Sequence, residues 1–324
     1  MGSDLFSQLV TGDRAALAKA ITIIESRNPN HLAQADELLS KAIQVNNSSI
    51  RIGITGVPGV GKSTFINSFG NTLVKDFGKR LAVLAIDPSS NQSHGSILGD
   101  KTRMETLSVL PDVFIRPSPT AGNLGGVARK TRETVLLCEA AGYDTILIET
   151  VGVGQSEYVA DSLSDCLLLL LLPNAGDELQ GIKRGIMELA DLVVLNKIDI
   201  TEKQILAQAQ ADINNAIHLL PAKFEGWTVP VLTHALNSHN LETIIWQSLL
   251  KFLDHQKVNG FFEAKRLSQK ELWLKEVLQD KLETSFFSQP DLTQNLKNAL
   301  QDFSEGKKGL DELASELIQR WKRS

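Results

Sequence analysis

The chain has 324 residues, of which 42% are hydrophobic, enough for a sizeable core in one large domain with appended segments or in two domains. The formal net charge of −5 argues against a nucleic-acid-binding protein, because such proteins usually carry a strongly basic face. The two cysteines, Cys138 and Cys166, form no CxxC pair, so we expect a reducing compartment and two buried thiols. No signal peptide is predicted, and the most apolar run, residues 166–172, is far shorter than the roughly 18 residues of a membrane span. We therefore expect a cytoplasmic protein without a membrane partner, or an organellar protein given without its transit peptide.

The predicted elements change in type along the chain. Residues 4–46 are predicted to be helical, because apolar side chains recur there at helical spacing. From about Ile50, short and uniformly apolar runs alternate with amphipathic stretches, and the predicted strands are 50–55, 81–87, 113–116, 145–150, 166–172, 192–196 and 229–233. This alternation indicates βαβ units in a mostly parallel sheet that is covered on both faces. After about residue 240 the pattern is helical to the end.

A phosphate-binding motif follows the first predicted strand. Residues 56–63, GVPGVGKS, match G-x-x-x-x-G-K-[ST] between a strand and a helix, which is the context that the motif requires. Its backbone N–H groups would surround a phosphate, the Lys62 ammonium would reach the β- and γ-phosphates, and the Ser63 hydroxyl would bind Mg²⁺. The motif predicts the α/β fold of a P-loop NTPase, a three-layer structure with N-terminal and C-terminal helical extensions. The predicted phosphate-binding residues are Gly56, Val57, Pro58, Gly59, Val60, Gly61, Lys62, Ser63 and Thr64.

A second motif indicates which base is bound. The predicted strand 192–196 leads into Asn196, Lys197 and Asp199, in the pattern Asn-Lys-x-Asp. A carboxylate at Asp199 would accept hydrogen bonds from N1–H and the 2-amino group of guanine, a pair that adenine lacks, so the motif favours GTP over ATP. Lys197 would lie along the base, and Asn196 would brace neighbouring loops. After the last strand, the chain has Thr-His-Ala where most such proteins have Ser-Ala, and we expect main-chain N–H groups of His234, Ala235 and Leu236 to face guanine O6. The His234 side chain is either a surface residue of this loop or, less favoured, a base contact.

Carboxylates at or near strand ends are candidates for the region around the γ-phosphate. Asp87 and Glu149 directly end predicted strands and Asp100 lies in a loop beyond, so they are expected near the phosphate loop, where oxygen ligands hold Mg²⁺. The alternative is that one of them, Asp87 above all, only caps a helix. The predicted metal ligands are Ser63, Asp87, Asp100 and Glu149.

The segment ETVGVGQ, residues 149–155, reads as a modified switch. Glu149 takes the place of the Asp usual in such switches, and Gly152 is placed to donate its N–H to the γ-phosphate. Val153 occupies the position of the usual catalytic Gln and cannot orient water, whereas Gln155 does so only if the loop folds inward. With no evident catalytic base or arginine finger, we expect slow intrinsic turnover. The predicted catalytic residues are Lys62, Asp100, Glu149 and Gln155.

Several longer segments resemble the MeaB/ArgK family of P-loop GTPases. They are DPSS at 87–90, GSILGDKTRM at 95–104, RPSP at 116–119, GNLGGVARKTRE at 122–133, ETVGVGQSE at 149–157, AGDELQGIKRGIMELAD at 175–191 and NKID at 196–199. Members of that family are chaperones of adenosylcobalamin-dependent acyl-CoA mutases, chiefly methylmalonyl-CoA mutase, and they couple GTP hydrolysis to cofactor loading and protection. The resemblance implies a homodimeric GTPase that uses Mg²⁺ with GTP and GDP and has such a mutase as its partner.

The resemblance also implies a domain layout and three switches. Residues 1–48 would be an N-terminal helical extension, 49–245 the GTPase domain and 246–324 a helical dimerisation arm. The switches would be 91–103, 152–158 and 174–188, the last of which would touch the mutase. His94, where the family usually has Gly, and the His234 loop depart from the family pattern.

Two other functions remain as alternatives. A nickel-inserting maturation GTPase has a related architecture but needs Cys or His ligands near its switches, and the two cysteines stand alone. A transport-linked protein kinase is the role once attached to the family's name. Against it, the kinase set of Gly-rich loop, HRD and DFG is missing from the sequence.

Overall fold

A single parallel sheet forms the centre of the protein. The computed structural model describes residues 2–26, 28–45, 49–86, 104–117, 124–150, 156–173, 184–236 and 238–323. In these ranges the strands are β1 (Ile50–Gly56), β2 (Leu81–Ile86), β3 (Val113–Arg116), β4 (Thr145–Thr150), β5 (Cys166–Leu171), β6 (Leu192–Leu195) and β7 (Val231–Thr233). They pair in the order β3-β2-β4-β1-β5-β6-β7, every pair parallel. The predicted strands are confirmed.

Helices account for most of the remaining described chain. They are α1 (Gly2–Val10), α2 (Arg14–Glu25), α3 (Pro29–Gln44), α4 (Lys62–Phe77), α5 (Glu105–Ser108), α6 (Leu124–Ala140), α7 (Ser156–Leu163), α8 (Arg184–Leu189), α9 (Lys203–His218), α10 (His239–Val258), α11 (Phe261–Phe287), α12 (Leu292–Ser304) and α13 (Leu310–Arg323). Local signals start two of them: the Asp13 carboxylate accepts the N–H groups of Ala15 and Ala16, and Asn28 caps α3 ahead of Pro29. Among the described helices, none is long and apolar enough to cross a bilayer.

The sheet is covered on both faces, which explains its uniformly apolar strands. Strands β2, β4, β5 and β6 are buried along their whole length. One face packs against the N-terminal helices and α6, with Leu17 and Leu137 in the same core cluster. The other face packs against α4 and α10, where Phe69 and Trp246 meet at a ring distance of 6.4 Å. The predicted three-layer α/β fold is confirmed.

The chain divides into two compact units, Met1–Gln269 and Lys270–Ser324. In the first, α2 and α3 pack on α6, so the N-terminal helices share a core with the sheet. In the second, Leu292 and Leu313 are buried, and the rings of Phe286 and Trp321 meet edge to face at 5.7 Å. The division at residues 48 and 245 stays a prediction.

The carboxyl edge of the sheet collects the motifs. Ile54 of β1 lies opposite Glu149 of β4. Gly56, which ends β1, lies opposite Leu170 of β5. Strand β6 leads directly into Asn196, and β7 leads directly into His234. Parallel strands present their carboxyl ends at one edge, and so the phosphate and base motifs meet there.

Candidate nucleotide-binding site

The phosphate loop, residues 57–61, connects β1 to α4 and depends on glycine at its ends. Gly56 has φ 153°, and a Cβ atom there would lie 2.5 Å from the Leu170 carbonyl oxygen. Gly61 has φ 94° at the N-cap of α4, and a Cβ atom there would lie 3.0 Å from the Asn196 amide nitrogen. Only glycine accepts both constraints, so the loop keeps a shape that directs the first N–H groups of α4 toward a ligand.

Lys62 is buried at the start of α4 and folds back over the loop. Its ammonium donates to the Gly56 carbonyl at 2.7 Å and to the Val57 carbonyl at 3.3 Å. Burial lowers the pKa of Lys62 below its ordinary value, while the carboxylates of Glu149 and Glu157 act in the opposite direction. The Lys62 ammonium therefore lies over the first carbonyl groups of the phosphate loop.

Ser63 and Glu149 form a pair of oxygen donors beside the loop. The Ser63 hydroxyl donates to Glu149 Oε1 at 2.9 Å, and the Glu149 side chain is buried at the end of β4. The hydroxyl at the start of the helix and the carboxylate at the end of the strand are hard oxygen ligands of the kind that suits Mg²⁺. Both predicted metal ligands that the structure describes are thus side by side. The other predicted residues of the γ-phosphate region, Asp87, Asp100, Gly152 and Gln155, lie outside the described residues.

The Asn-Lys-x-Asp motif packs directly on the phosphate loop. The Asn196 amide donates to the Val60 carbonyl at 2.8 Å, and the Lys197 ammonium donates to the Gly59 carbonyl at 2.8 Å. Lys197 has φ 59°, the one positive φ at a non-glycine residue of the described chain. Asp199 follows in a short 3₁₀ helix, Ile198–Ile200, and is exposed. The motif therefore holds the loop with two side chains and leaves its carboxylate open to solvent.

His234 is buried rather than exposed on the surface of its loop. Its side chain is 1% exposed; Nδ1 lies 2.7 Å from Asn196 Oδ1, and Nε2 lies 3.2 Å from Glu242 Oε1. Its main-chain N–H donates to the Leu195 carbonyl, and its carbonyl accepts the Ile198 N–H. Both ring nitrogens and both main-chain groups are thus engaged within the protein.

Glu242, in the first turn of α10, is the site residue that sequence reasoning missed. It is fully buried, and its carboxylate accepts hydrogen bonds from the hydroxyl groups of Ser68 and Thr72 of α4. Burial opposes its ionisation, but the hydrogen bonds from His234, Ser68 and Thr72 together lower the pKa of Glu242 below its ordinary value. No local signal marks it, because an acidic residue in the first turn of a helix is common.

Comparisons with known proteins identify the family of this chain. The profile of the family described as methylmalonyl Co-A mutase-associated GTPase MeaB matches residues 17–291. A relative from Caulobacter vibrioides, named as a GTPase, is 52% identical over 87% of this chain and 86% of its own length. The mitochondrial methylmalonic aciduria type A homolog of Mus musculus is 43% identical over 90% of this chain and 72% of its own length.

A solved structure supports the same assignment. The crystal structure of a LAO/AO transport system kinase has a TM-score of 0.75 and 32% identity, covering 99% of this chain and 97% of the other. The profile match spans most of the chain; one of these two relatives is named as a GTPase, and the other carries a methylmalonic aciduria name. The chain belongs to the MeaB family of P-loop GTPases.

Proposed function

We propose that this GTPase is a chaperone of an adenosylcobalamin-dependent acyl-CoA mutase, with methylmalonyl-CoA mutase as the favoured partner. The observation that carries the proposal is the match of the mutase-associated family profile over residues 17–291. The name of the mouse relative, which refers to methylmalonic aciduria, supports the same substrate chemistry. The chaperone would gate cofactor loading and protect the mutase, in the cytoplasm.

In this role, the site residues divide into those that would hold the phosphates and those that would hold the base. Residues 56–64 would hold the phosphates, with the N–H of Gly152 as a further donor to the γ-phosphate. Asp199 is exposed beside the loop that Asn196 and Lys197 hold, so it is free to meet a base laid over that loop. Because the main-chain N–H of His234 is engaged with Leu195, the donors to guanine O6 would be the N–H groups of Ala235 and Leu236.

Mg²⁺ fits the donor set beside the phosphate loop. Ser63 and Glu149 present a hydroxyl and a buried carboxylate 2.9 Å apart, and Asp87 and Asp100 are the further candidates. When bound, Mg²⁺ neutralises charge on the phosphate oxygens. These residues would hold the ion or its waters.

Hydrolysis would proceed by in-line attack of water on the γ-phosphoryl group. The N–H groups of the loop and the Lys62 ammonium would stabilise the charge that develops on the phosphate oxygens. Val153 stands where a water-orienting Gln is usual, so Gln155, or a group from the partner, would have to position the water. This is why we expect slow turnover by the isolated chain.

The experiment measures GTP hydrolysis with and without purified candidate mutases. We expect methylmalonyl-CoA mutase to form a nucleotide-dependent complex in size-exclusion chromatography and to raise the hydrolysis rate at least about tenfold, because it would supply or order the missing group. An isobutyryl-CoA mutase and an acyl-CoA enzyme without cobalamin serve as comparisons. Absence of both complex and rate change with every cobalamin mutase would contradict the chaperone role and leave the GTPase activity untouched.

The two alternatives have less support. Burial raises the pKa of both Cys138 and Cys166, which disfavours the thiolates that nickel binding needs. Within the described ranges, no group of three His, Cys, Asp or Glu side chains is placed to hold a metal ion. The kinase alternative takes its support from the name of the solved relative. Tracing γ-labelled GTP separates it from a GTPase, since a kinase leaves the label on protein and a GTPase releases it as phosphate.

A further inference from the structure

A buried chain of hydrogen bonds leads from the phosphate loop into the helical layer, and His234 is at its centre. On one side, His234 contacts Asn196, whose amide reaches the Val60 carbonyl of the loop. On the other side it contacts Glu242, which holds two hydroxyl groups of α4. The His234 ring also stands edge to face against Phe65 at 4.8 Å. The imidazole thus contacts α4, α10 and Asn196, and through Asn196 it is linked to the phosphate loop.

The partners of the ring determine where its protons are. The Asn196 Nδ2 atom donates to the Val60 carbonyl, so the Asn196 Oδ1 atom must face His234, and Nδ1 of the ring must donate to it. Nε2 faces Glu242 Oε1, which already accepts a hydrogen bond from the Ser68 hydroxyl group. Both ring nitrogens therefore face acceptors. The proton that Asn196 requires is the one on Nδ1.

The same contacts select one orientation of the Asn196 amide. If the amide turned over, its oxygen would face the Val60 carbonyl and its nitrogen would face a donating ring nitrogen, so both hydrogen bonds would be lost. The proton on His234 Nδ1 is what makes the loop-holding orientation the stable one.

We propose that His234 is a positioning residue for nucleotide binding, which locks the Asn196 amide onto the phosphate loop and so couples the base site to the phosphate site. This proposal rests on the GTPase activity of the family and on the contact of Asn196 with the phosphate loop. It does not rest on the identity of the mutase. A failure of the mutase proposal therefore leaves it standing, because it concerns nucleotide binding by the chain alone.

The first test compares two substitutions at this position by isothermal titration with GDP and a non-hydrolysable GTP analogue. His234→Leu fills the space without a donor, and we expect both affinities to fall by about tenfold, because Asn196 loses its orienting bond. His234→Gln keeps an N–H donor and should stay within about threefold of the native chain. In steady-state hydrolysis the loss should fall on KM rather than kcat, since His234 touches no reacting atom.

The matched control is His239→Gln. His239 is also a histidine beside Glu242, with Nδ1 3.9 Å from Oε2, but its side chain is 65% exposed and the described structure gives it no contact with Asn196. We expect its substitution to leave nucleotide affinity unchanged. Equal losses in both variants would overturn the proposal, because the effect would then belong to Glu242 and not to Asn196.

A double-mutant cycle isolates the coupling. If His234 acts through Asn196, then His234→Leu should cause no further loss of affinity in an Asn196→Ala background, whereas independent roles would give additive losses and overturn the proposal. Should His234→Leu fail to fold, a ¹⁵N NMR spectrum of the histidine side chains in the native chain decides. The His234 signals are assigned as those that are missing from the spectrum of His234→Gln. A protonated Nδ1 with and without GDP supports the proposal, and an unprotonated Nδ1 overturns it.

Discussion

At the residue scale, the site depends on two glycine positions at which an added methyl group would clash with neighbouring atoms. A methyl group at Gly56 would enter the Leu170 carbonyl, and one at Gly61 would press on the Asn196 amide. These clashes involve backbone or a fixed amide, so neighbouring atoms have little freedom to move away. Gly56 and Gly61 thus allow the phosphate loop to pack closely on β5 and on Asn196, as well as allowing the approach of phosphate.

Asp199 carries the prediction on base choice. Asp199→Asn should lower the affinity for GTP on the order of 100-fold, because the charged acceptor for N1–H and the 2-amino group is lost. The same amide offers a donor to the 2-oxo group of xanthine and an acceptor for its N1–H, so affinity for xanthosine triphosphate should rise. Competition binding with GTP, ATP and xanthosine triphosphate measures this.

Asp212→Asn is a suitable control for that experiment, since Asp212 is an exposed residue of α9 with the same change of charge. It should alter none of the three affinities. An unchanged GTP affinity in Asp199→Asn would mean that another residue reads the base.

At the scale of elements, α4 and α10 are joined by one buried carboxylate. Glu242 of α10 receives the hydroxyls of Ser68 and Thr72 from α4, and its charge is also next to His234. The two helices further share an apolar core through Phe69 and Trp246. Helix α4, which follows the phosphate loop, is therefore held in place by contacts along its length as well as at its N-terminus.

The buried carboxylate between α4 and α10 predicts that the free energy of unfolding depends on pH in the acidic range. The pKa of Glu242 in the folded chain lies below the ordinary 4.5, so its contribution is complete above that value and is lost as the pH falls through the folded pKa. Glu242→Gln should therefore be less stable at neutral pH, with a shallower loss of stability as the pH falls through 4.5 and below. Urea unfolding across this range measures the slope.

Glu37→Gln is the comparison, because Glu37 pairs with Lys41 on the surface of α3, where solvent screens the interaction. Its slope should match that of the native chain. If Glu242→Gln and the native chain gave parallel curves, the buried charge would not be what stabilises the junction.

At the scale of the whole molecule, the described part of the second unit carries large apolar side chains on its surface. Leu274, Leu278 and Leu282 recur every fourth residue on α11, which places them along one side of the helix, and each is more than half exposed. Exposed apolar stripes of this kind are typical of protein interfaces. We propose this stripe as the interface of the homodimer that the family resemblance predicts.

Leu278→Glu tests that prediction. We expect it to shift the chain toward monomer in sedimentation velocity, because a charge would be buried against an apolar partner surface. Gln279→Glu adds the same charge about 100° around the helix and should leave the oligomeric state unchanged. A native chain that stays monomeric at all concentrations would refute the dimer, and a dimer insensitive to Leu278→Glu would place its interface elsewhere.

Much of this protein could be inferred from its sequence, because the informative signals are local. Uniformly apolar runs mark strands that are buried on both faces, and a Gly-rich loop between strand and helix requires conformations that few other residues adopt. The resemblance of the longer segments to MeaB proteins then identified the family, which the profile match confirmed.

The tertiary structure decided what local signals do not contain. His234 reads as a loop residue in the sequence, yet it is buried because Glu242, eight residues further on, and Asn196, 38 residues before, converge on its two ring nitrogens. The distance between strand ends in the sheet, not their separation in the chain, sets which side chains meet. The sequence by itself determined the strands, the phosphate loop and the base motif. Only the order of the strands and the packing of α4 and α10 decided that one buried imidazole would join them.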